Sequence, residues 1–282
     1  MRFHFISLML AALVLAAPAS AITFGFVDSS NTLSNVGAFI VKSPTTGNIF
    51  PICSGTLIAP NVFLTASHCT IFFEQDLAPR GFTAYVSFDK SIPFGDLTTN
   101  KTKLVPVTDS VTNPGFNQSQ SDSEDIGALI LASTPKGLSF ATLPSCGLLE
   151  QLHEQNGLKD AVFTAVGYGL QNRVVGGGVP FFQDTNPIPR MFAFSSFNAL
   201  NGGYIRLSQN PSTGDGGTCF GDSGGPDFLN VSGRQILAAI TITGDSVCRS
   251  TNVDYRLDTQ SASNFLAFVN AAYGTSIPVP CP

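Results

Sequence analysis

The chain has little charge and no tryptophan. Asp, Glu, Lys and Arg make up 12% of its 282 residues, and the net charge is −5. The charged share is about half that of an average soluble protein. An acidic chain without a Lys/Arg cluster argues against nucleic acid as a partner. Gly and Pro are plentiful, with 27 and 18 residues, which is typical of short strands joined by turns.

Long apolar runs are missing from most of the chain. After residue 21, no segment reaches the roughly 18 consecutive apolar residues of a spanning helix, so we expect no membrane partner. In residues 1–21, Arg2 and His4 precede an apolar run, and small residues lead up to Ala21. This pattern indicates a secretory signal peptide and predicts a secreted, extracellular protein.

Zinc-type spacing is also missing. The six cysteines form no CxxC pair, and the adjacent His68 and Cys69 cannot easily share one tetrahedral ion. We therefore expect no metal. In an exported chain, six cysteines indicate three disulfides, whose pairing the spacing alone leaves open.

Three sequons lie in polar, turn-rich stretches. They begin at Asn100, Asn117 and Asn230. In a eukaryotic source this pattern predicts glycosylated loops.

The most informative stretch is Gly221-Asp222-Ser223-Gly224-Gly225. A serine hydroxyl is a poor nucleophile until a base takes its proton. Glycines on both sides of Ser223 allow a tight turn, in which the amides of Gly221 and Ser223 could converge on one oxyanion. The structural alternative is a Gly-rich surface turn.

A base for this serine must come from three histidines. His4 lies in the signal peptide, and His153 lies in a polar stretch typical of a solvated loop. His68 is therefore the candidate base, and a buried structural histidine is the alternative reading. Because the apolar run 52–64 leads directly to it, we expect His68 at the end of a buried strand.

A third group must orient the imidazole. Asp125 precedes the apolar run 126–131 and is placed to do so from the start of a strand. Asp122 and Glu124 are competing candidates.

Three motifs carry a resemblance to one family. They are Thr65-Ala66-Ser67-His68-Cys69, Asp-Ile-Gly-Ala-Leu-Ile-Leu at 125–131, and Gly-Asp-Ser-Gly-Gly-Pro at 221–226. Together, in the order His, Asp, Ser, they are similar to the trypsin/chymotrypsin family of serine endopeptidases, and the similarity covers most of the chain after the signal peptide.

The resemblance implies an all-β fold of two six-stranded antiparallel β-barrels with the active site between them. Residues 22–143 would form the N-terminal barrel and residues 144–282 the C-terminal barrel. The apolar spacing of residues 263–273, with Gly274 as a stop, predicts a C-terminal α-helix.

The resemblance also implies peptide hydrolysis through an acyl-enzyme without a cofactor. Ser223 would attack, His68 would move the proton, Asp125 would orient His68, and Gly221 with Ser223 would form the oxyanion hole. Polypeptide substrates and protein protease inhibitors would be the partners of a monomer. A catalytically silent homologue, kept as a binding or inhibitory module, is the alternative.

Disulfide pairing follows from the same resemblance. It implies that Cys53 pairs with Cys69 and that Cys219 pairs with Cys248. These pairs leave Cys146 for Cys281.

The family's activation sequence Ile-Val-Gly-Gly is missing. Cleavage after Ala21 would instead expose the amine of Ile22, which by resemblance would fold inward and pair with Asp222. A short propeptide within residues 22–35, or a loop ordered without an inserted amine, is the alternative.

Substrate preference depends on the pocket. Gly217 stands where trypsin-like members carry an aspartate, so we expect an open, apolar pocket for bulky side chains, of chymotrypsin-like or broad specificity. Asp254 could enter from the opposite wall and restore a preference for Lys or Arg. The predicted substrate-binding residues are Gly217, Thr218, Phe220, Ile242, Thr243 and Gly244. Where the family has Ser-Trp-Gly, this sequence has Ile242-Thr243-Gly244, which lacks the hydroxyl that in the family usually supports the catalytic aspartate.

Overall fold

The structure is a computed structural model that describes residues 22–93, 95, 101–117, 119–171, 173–174, 181–182 and 185–281. The predicted signal peptide 1–21 and the predicted glycosylation site Asn100 lie outside the described residues. Most of the chain is built from antiparallel strands.

The first six long strands close into a barrel. They are β1 (Val36–Lys42), β2 (Ile49–Ala59), β3 (Val62–Thr65), β4 (Thr83–Ser87), β5 (Val105–Thr112) and β6 (Gly127–Leu131). Hydrogen bonds join them in the order β1-β2-β3-β6-β5-β4 and back to β1. Side chains such as Phe39, Leu57, Phe63 and Leu129 are fully buried in its interior.

The next six long strands close into a second barrel. They are β7 (Val162–Gly167), β8 (Met191–Leu200), β9 (Tyr204–Ser208), β10 (Pro226–Val231), β11 (Arg234–Gly244) and β12 (Thr251–Arg256). Their order is β8-β9-β12-β11-β10-β7, and β7 pairs with β8 to close the ring. Numbered from its own first strand, the second barrel repeats the cyclic order of the first.

Three α-helices accompany the barrels: α1 (Ser67–Phe72), α2 (Leu148–Glu154) and α3 (Gln260–Tyr273). Two-residue strands lie at Phe26–Val27, Ser91–Ile92, Arg173–Val174, Phe181–Phe182 and Ile188–Pro189. A π-helix spans Phe73–Leu77, and 3-10 helices span Ala78–Arg80 and Pro211–Thr213.

The C-terminal helix packs on the contact between the barrels. Thr259 caps α3 by accepting a hydrogen bond from the Ala262 amide, and Gly274 ends it in the left-handed conformation, as helix caps commonly do. Its buried Phe265 and Leu266 belong to an apolar cluster that contains strand residues of both barrels. The predicted fold of two six-stranded barrels and a C-terminal helix is therefore confirmed.

Two local predictions are wrong. We expected His68 at the end of a strand, but β3 ends at Thr65, and His68 lies in the first turn of α1. We expected a solvated loop around His153, but His153 lies on α2 and its ring is 5.8 Å from that of Phe197.

A buried arginine joins the two barrels. Arg190 is fully buried just before β8, and its Nε lies 2.9 Å from Asp28 Oδ2. Its Nη1 donates to the carbonyl of Val36 in the first barrel, at 3.0 Å. Burial opposes ionisation of Asp28, but the hydrogen bond from Arg190 and backbone amides nevertheless hold the pKa of Asp28 below its ordinary value.

Removing this carboxylate should destabilise the fold. Asp28→Asn leaves the Arg190 guanidinium buried without its counter-charge, so we expect urea titration to show a free energy of unfolding lower by about 3–5 kcal/mol. Because the pKa of Asp28 is lowered by folding, the difference should shrink as pH falls through that pKa. Exposed Asp160→Asn is the matched control. Equal stability of the two variants would contradict this role.

Candidate active site

A two-point contact joins the candidate base to the candidate acid. Asp125 Oδ2 lies 2.8 Å from His68 Nδ1, and Asp125 Oδ1 accepts the backbone N–H of His68 at 2.9 Å. Asp125 is buried, whereas the His68 side chain is 34% exposed. An ionised Asp125 thus fixes the ring plane and favours the tautomer with its proton on Nδ1, which leaves Nε2 facing away from the acid.

Neighbouring polar groups hold the two segments together. The Ser67 hydroxyl donates to the carbonyl of Ile126 at 2.7 Å and accepts the amide of Asn113 at 2.9 Å. The Asn113 side chain donates to the carbonyl of Glu124 at 3.2 Å. Since these bonds flank Asp125 on both sides, they orient its carboxylate toward α1.

The serine loop follows the pattern expected of an oxyanion site. Gly221 has φ +97°, in the region that favours glycine, and a Cβ there would lie 3.0 Å from Gly169 Cα. Asp222 N donates to the Cys219 carbonyl, and Gly224 N donates to that of Thr241. Among the described residues, no such bond occupies the amides of Gly221 and Ser223.

The first barrel holds this loop through Ser54 on β2, which our sequence reasoning missed. Its amide donates to the Ser223 carbonyl at 2.9 Å, and its hydroxyl donates to the Gly221 carbonyl at 3.0 Å. The same hydroxyl accepts the amide of Tyr168 at 3.0 Å. A Ser directly after a half-cystine carries no signal that would have identified it.

His68 and Ser223 both line one cavity of about 240 Å³, which we call the central cavity. The remaining lining residues are Thr218, Cys219, Phe220, Thr241, Ile242, Thr243, Gly244, Asp245 and Cys248. Five of the six predicted substrate-binding residues are among them.

Gly217, the sixth, lies against a side chain that we did not anticipate. A Cβ at Gly217 would collide with Gln209, whose side chain fills the space where a residue at 217 would project. Gln209 donates through Nε2 to Asp245 Oδ1 at 3.1 Å. The position therefore requires glycine.

Asp254 does not enter the cavity as the alternative expectation had it. Its side chain is fully buried and accepts a hydrogen bond from Asn252 Nδ2 at 2.5 Å. Asp254 is not among the residues that line the central cavity.

The predicted N-terminal pair lies in the second barrel. Ile22 is fully buried against Met191, and Thr23 exchanges two backbone hydrogen bonds with Gly217, of 2.9 and 3.0 Å. Asp222 is also fully buried and accepts the amides of Gly169 and Cys219 at 2.7 and 2.9 Å. Burial raises the pKa of Asp222 to about 7, against the effect of these amide bonds.

Three disulfides are present: Cys53–Cys69 and Cys219–Cys248, which the resemblance implied, and Cys146–Cys281, the pair that remained. Ligand atoms of Cys53, His68 and Cys69 lie within 4.8 Å of one another. Because the two sulfurs are bonded to each other, neither is available as a thiolate ligand.

Two further expectations concern glycosylation and membrane-spanning segments. Asn117 and Asn230 are exposed, as an acceptor of a glycan must be. In the part of the chain that the structure describes, no helix is long and apolar enough to cross a membrane.

Two closed β-barrels, with a Ser and a His at one cavity and an Asp bonded to that His, define the chymotrypsin-like class of fold. A family model described as Trypsin matches residues 27–268, and the chain belongs to this family. A comparison with curated proteins finds no matching relative.

The Ser54 anchor can be tested by stability. In Ser54→Ala the Gly221 carbonyl and the Tyr168 amide lose a buried partner, so we expect the free energy of unfolding to fall by about 1–3 kcal/mol. Chemical denaturation measures this change without requiring activity. The exposed Ser246→Ala should be neutral, and an equally neutral Ser54→Ala would contradict the anchor.

Proposed function

We propose that the protein is a secreted serine endopeptidase with Ser223, His68 and Asp125 as its catalytic residues. The observation that carries this proposal is the two-point contact of Asp125 with His68, beside a cavity that Ser223 also lines. Membership of the Trypsin family supports a serine-type peptidase acting on polypeptides. The three disulfides agree with export.

The geometry supports a definite order of proton transfers. Nε2 of His68 takes the proton of the Ser223 hydroxyl as its oxygen attacks the scissile carbonyl carbon. The carbonyl oxygen becomes an oxyanion, which the amides of Gly221 and Ser223 stabilise. His68 then gives the proton to the leaving amine, and the C–N bond breaks. Water repeats the sequence on the acyl-enzyme and returns the Ser223 proton.

The pocket favours broad specificity at the residue whose carbonyl is attacked, called P1. Gly217 contributes no carboxylate to the floor, and the Asp245 carboxylate is occupied by the amides of Arg249, Ser250 and Thr251. Gly244 lies at the cavity without a side chain that would narrow it. Neutral P1 side chains, including bulky apolar ones, therefore fit best.

Labelling with a fluorophosphonate tests the catalytic assignment. We expect wild type to react at Ser223 and the label to disappear in Ser223→Ala, because the reagent requires an activated hydroxyl. The substitution should lower kcat on a peptide substrate by a factor on the order of 10⁶. A folded wild type that takes no label would instead support a silent binding module.

We propose further that removal of the signal peptide creates the working N-terminus. Burial of Ile22 and the pairing of Thr23 with Gly217 place this segment beside the loop that carries Asp222. A free Ile22 ammonium would give the buried Asp222 carboxylate a counter-charge, which favours its ionised form.

N-terminal sequencing of secreted, active protein should therefore begin at Ile22. A form with one glycine added before Ile22 should lose most of its activity, since a buried amine leaves no room for an extra residue. The same addition to Asp222→Asn should have little further effect. Active protein that begins later than Ile22 would overturn this proposal.

A further inference from the structure

Two buried carboxyl groups face each other beneath the central cavity. Asp227 on β10 and Asp254 on β12 are both fully buried, and their carboxyl groups interact electrostatically. One oxygen of each, Asp227 Oδ1 and Asp254 Oδ2, has no hydrogen-bond partner among the described residues. Two neighbouring buried carboxyl groups cannot readily both carry a negative charge.

A chain of hydrogen bonds connects this pair to the cavity floor. The Thr241 hydroxyl donates to Asp227 Oδ2 at 3.2 Å. The Thr218 hydroxyl donates to Asn252 Oδ1 at 2.6 Å, and Asn252 Nδ2 donates to Asp254 Oδ1 at 2.5 Å. Thr218 and Thr241 line the cavity, whereas the carboxyl pair lies behind them.

The direction of these bonds decides what the floor offers. Each threonine hydroxyl has one proton, and both protons point inward, toward Asn252 or Asp227. Only lone pairs of Thr218 and Thr241 are then left for a group in the cavity, and one of those on Thr241 already accepts Asn252 Nδ2 at 3.5 Å. A P1 side chain that ends in a hydrogen-bond donor suits this floor, and a cation suits it best if the carboxyls behind it are charged.

Resting on the proposed function, we propose that the Asp227–Asp254 pair is a specificity determinant: by carrying one negative charge behind the floor, it lets the enzyme accept a basic P1 side chain as well as neutral ones. The charge acts through Thr218 and Thr241, not by direct contact with the substrate.

The charge of the pair depends on pH. Burial raises the pKa of Asp227 to about 7, although the neighbouring Asp254 and the Thr241 hydroxyl act to lower it. Burial and the adjacent Asp227 raise the pKa of Asp254 well above its ordinary value. In acid the pair holds two protons and is neutral; as pH rises through about 7 it loses one and becomes an anion. Acceptance of a basic side chain should therefore increase with pH.

Other titratable groups around the pair are few. The strand partners of Asp227 are Ala165 and Ala239, and those of Asp254 are Ile205 and Thr241, none of which titrates. Asp222 interacts electrostatically with Asp227.

His68 and Asp245 line the cavity. In the proposed mechanism His68 and Asp222 act with every substrate. Their effect on kcat/KM is therefore the same for two substrates and cancels in the ratio of the two kcat/KM values. The hydrogen bonds to Asp245 hold its pKa below the ordinary value, although burial acts the other way, so Asp245 stays ionised across the neutral range.

Two peptides that differ only at P1 test the proposal. One carries lysine, and the other carries norleucine, which has the same carbon stem without the ammonium group. Between about pH 5.5 and about pH 8.5 we expect the ratio of their kcat/KM values, lysine over norleucine, to rise by about fivefold or more. A ratio that is flat over this range overturns the proposal.

Amide variants assign the effect to the pair. Asp227→Asn with Asp254→Asn keeps the shape and removes both ionisable groups, so its ratio should stay low and independent of pH. Each single variant keeps one carboxyl and should move the midpoint of the rise. Asp109→Asn, which removes a surface carboxylate of the first barrel, should match wild type. Wild-type behaviour of the double variant, or of both singles if the double variant does not fold, contradicts the proposal.

Binding of benzylamine and benzyl alcohol separates this proposal from the proposed function, because neither compound needs turnover. Calorimetry with wild type should show benzylamine binding more tightly as pH rises and benzyl alcohol binding unchanged. If no peptide is cleaved, the proposed function fails, yet this binding difference would still support the charged floor. If peptides are cleaved and benzylamine binding ignores pH, only the charged floor fails.

Discussion

The alignment of Ser223 with His68 and Asp125 depends on the contact that Ser54 makes between the two barrels. His68 and Asp125 belong to the first barrel, whereas Ser223 belongs to the second, so no single barrel can align all three. The Ser54 amide and hydroxyl bind the carbonyls of Ser223 and Gly221 directly. They fix the main chain of the nucleophile relative to the barrel that holds the base. Catalytic geometry tolerates errors of only about 0.5 Å, which makes this short contact more decisive than the larger apolar interface.

A second constraint is the concentration of buried acid in the second barrel. Asp222, Asp227 and Asp254 are all fully buried, and a charge on Asp227 raises the cost of ionising both Asp222 and Asp254. The fold makes room for Asp222 by keeping glycine at 167 and 169, where any Cβ would collide with its carboxylate. Glycine at these two positions costs conformational entropy on folding, but it leaves room for the buried carboxylate. The three buried acids therefore contribute charge beside the loop that carries Ser223 and behind the wall of the central cavity.

Much of this could be predicted because its signals are local. The Gly-rich motif around Ser223 and the Asp125 run each identify a loop by residue type, and the spacing of residues 263–273 predicts α3, which the structure extends to Gln260. The strand before His68 was predicted too long because apolar residues continue to Ala66. A helix of six residues has too few turns for a periodic pattern.

Other features could not be predicted because they are made by distant residues. Neither Arg190 with Asp28 nor Asp227 with Asp254 is marked by its own sequence surroundings, since each pair meets only when separate strands are in register. From the sequence we considered that Asp254 could enter the pocket, but we did not predict the face of β12 on which this side chain lies. A shift of one residue in β12 reverses the face of every side chain, and the register bulge between Thr241 and Thr243 adds such a shift.

A departure from the family pattern changes how the aspartate of the proposed triad is held. Ile242 stands where the family usually provides a hydroxyl to the aspartate, so Asp125 must find its donors elsewhere. In the described part of the chain, those donors are the ring and the backbone amide of His68. Both carboxylate oxygens of Asp125 therefore bond to one residue, and the position of the first turn of α1 determines where these donors lie. Ser67, in the same turn, bonds to the carbonyl of Ile126 and the amide of Asn113, so it holds the main chain beside Asp125 close to His68.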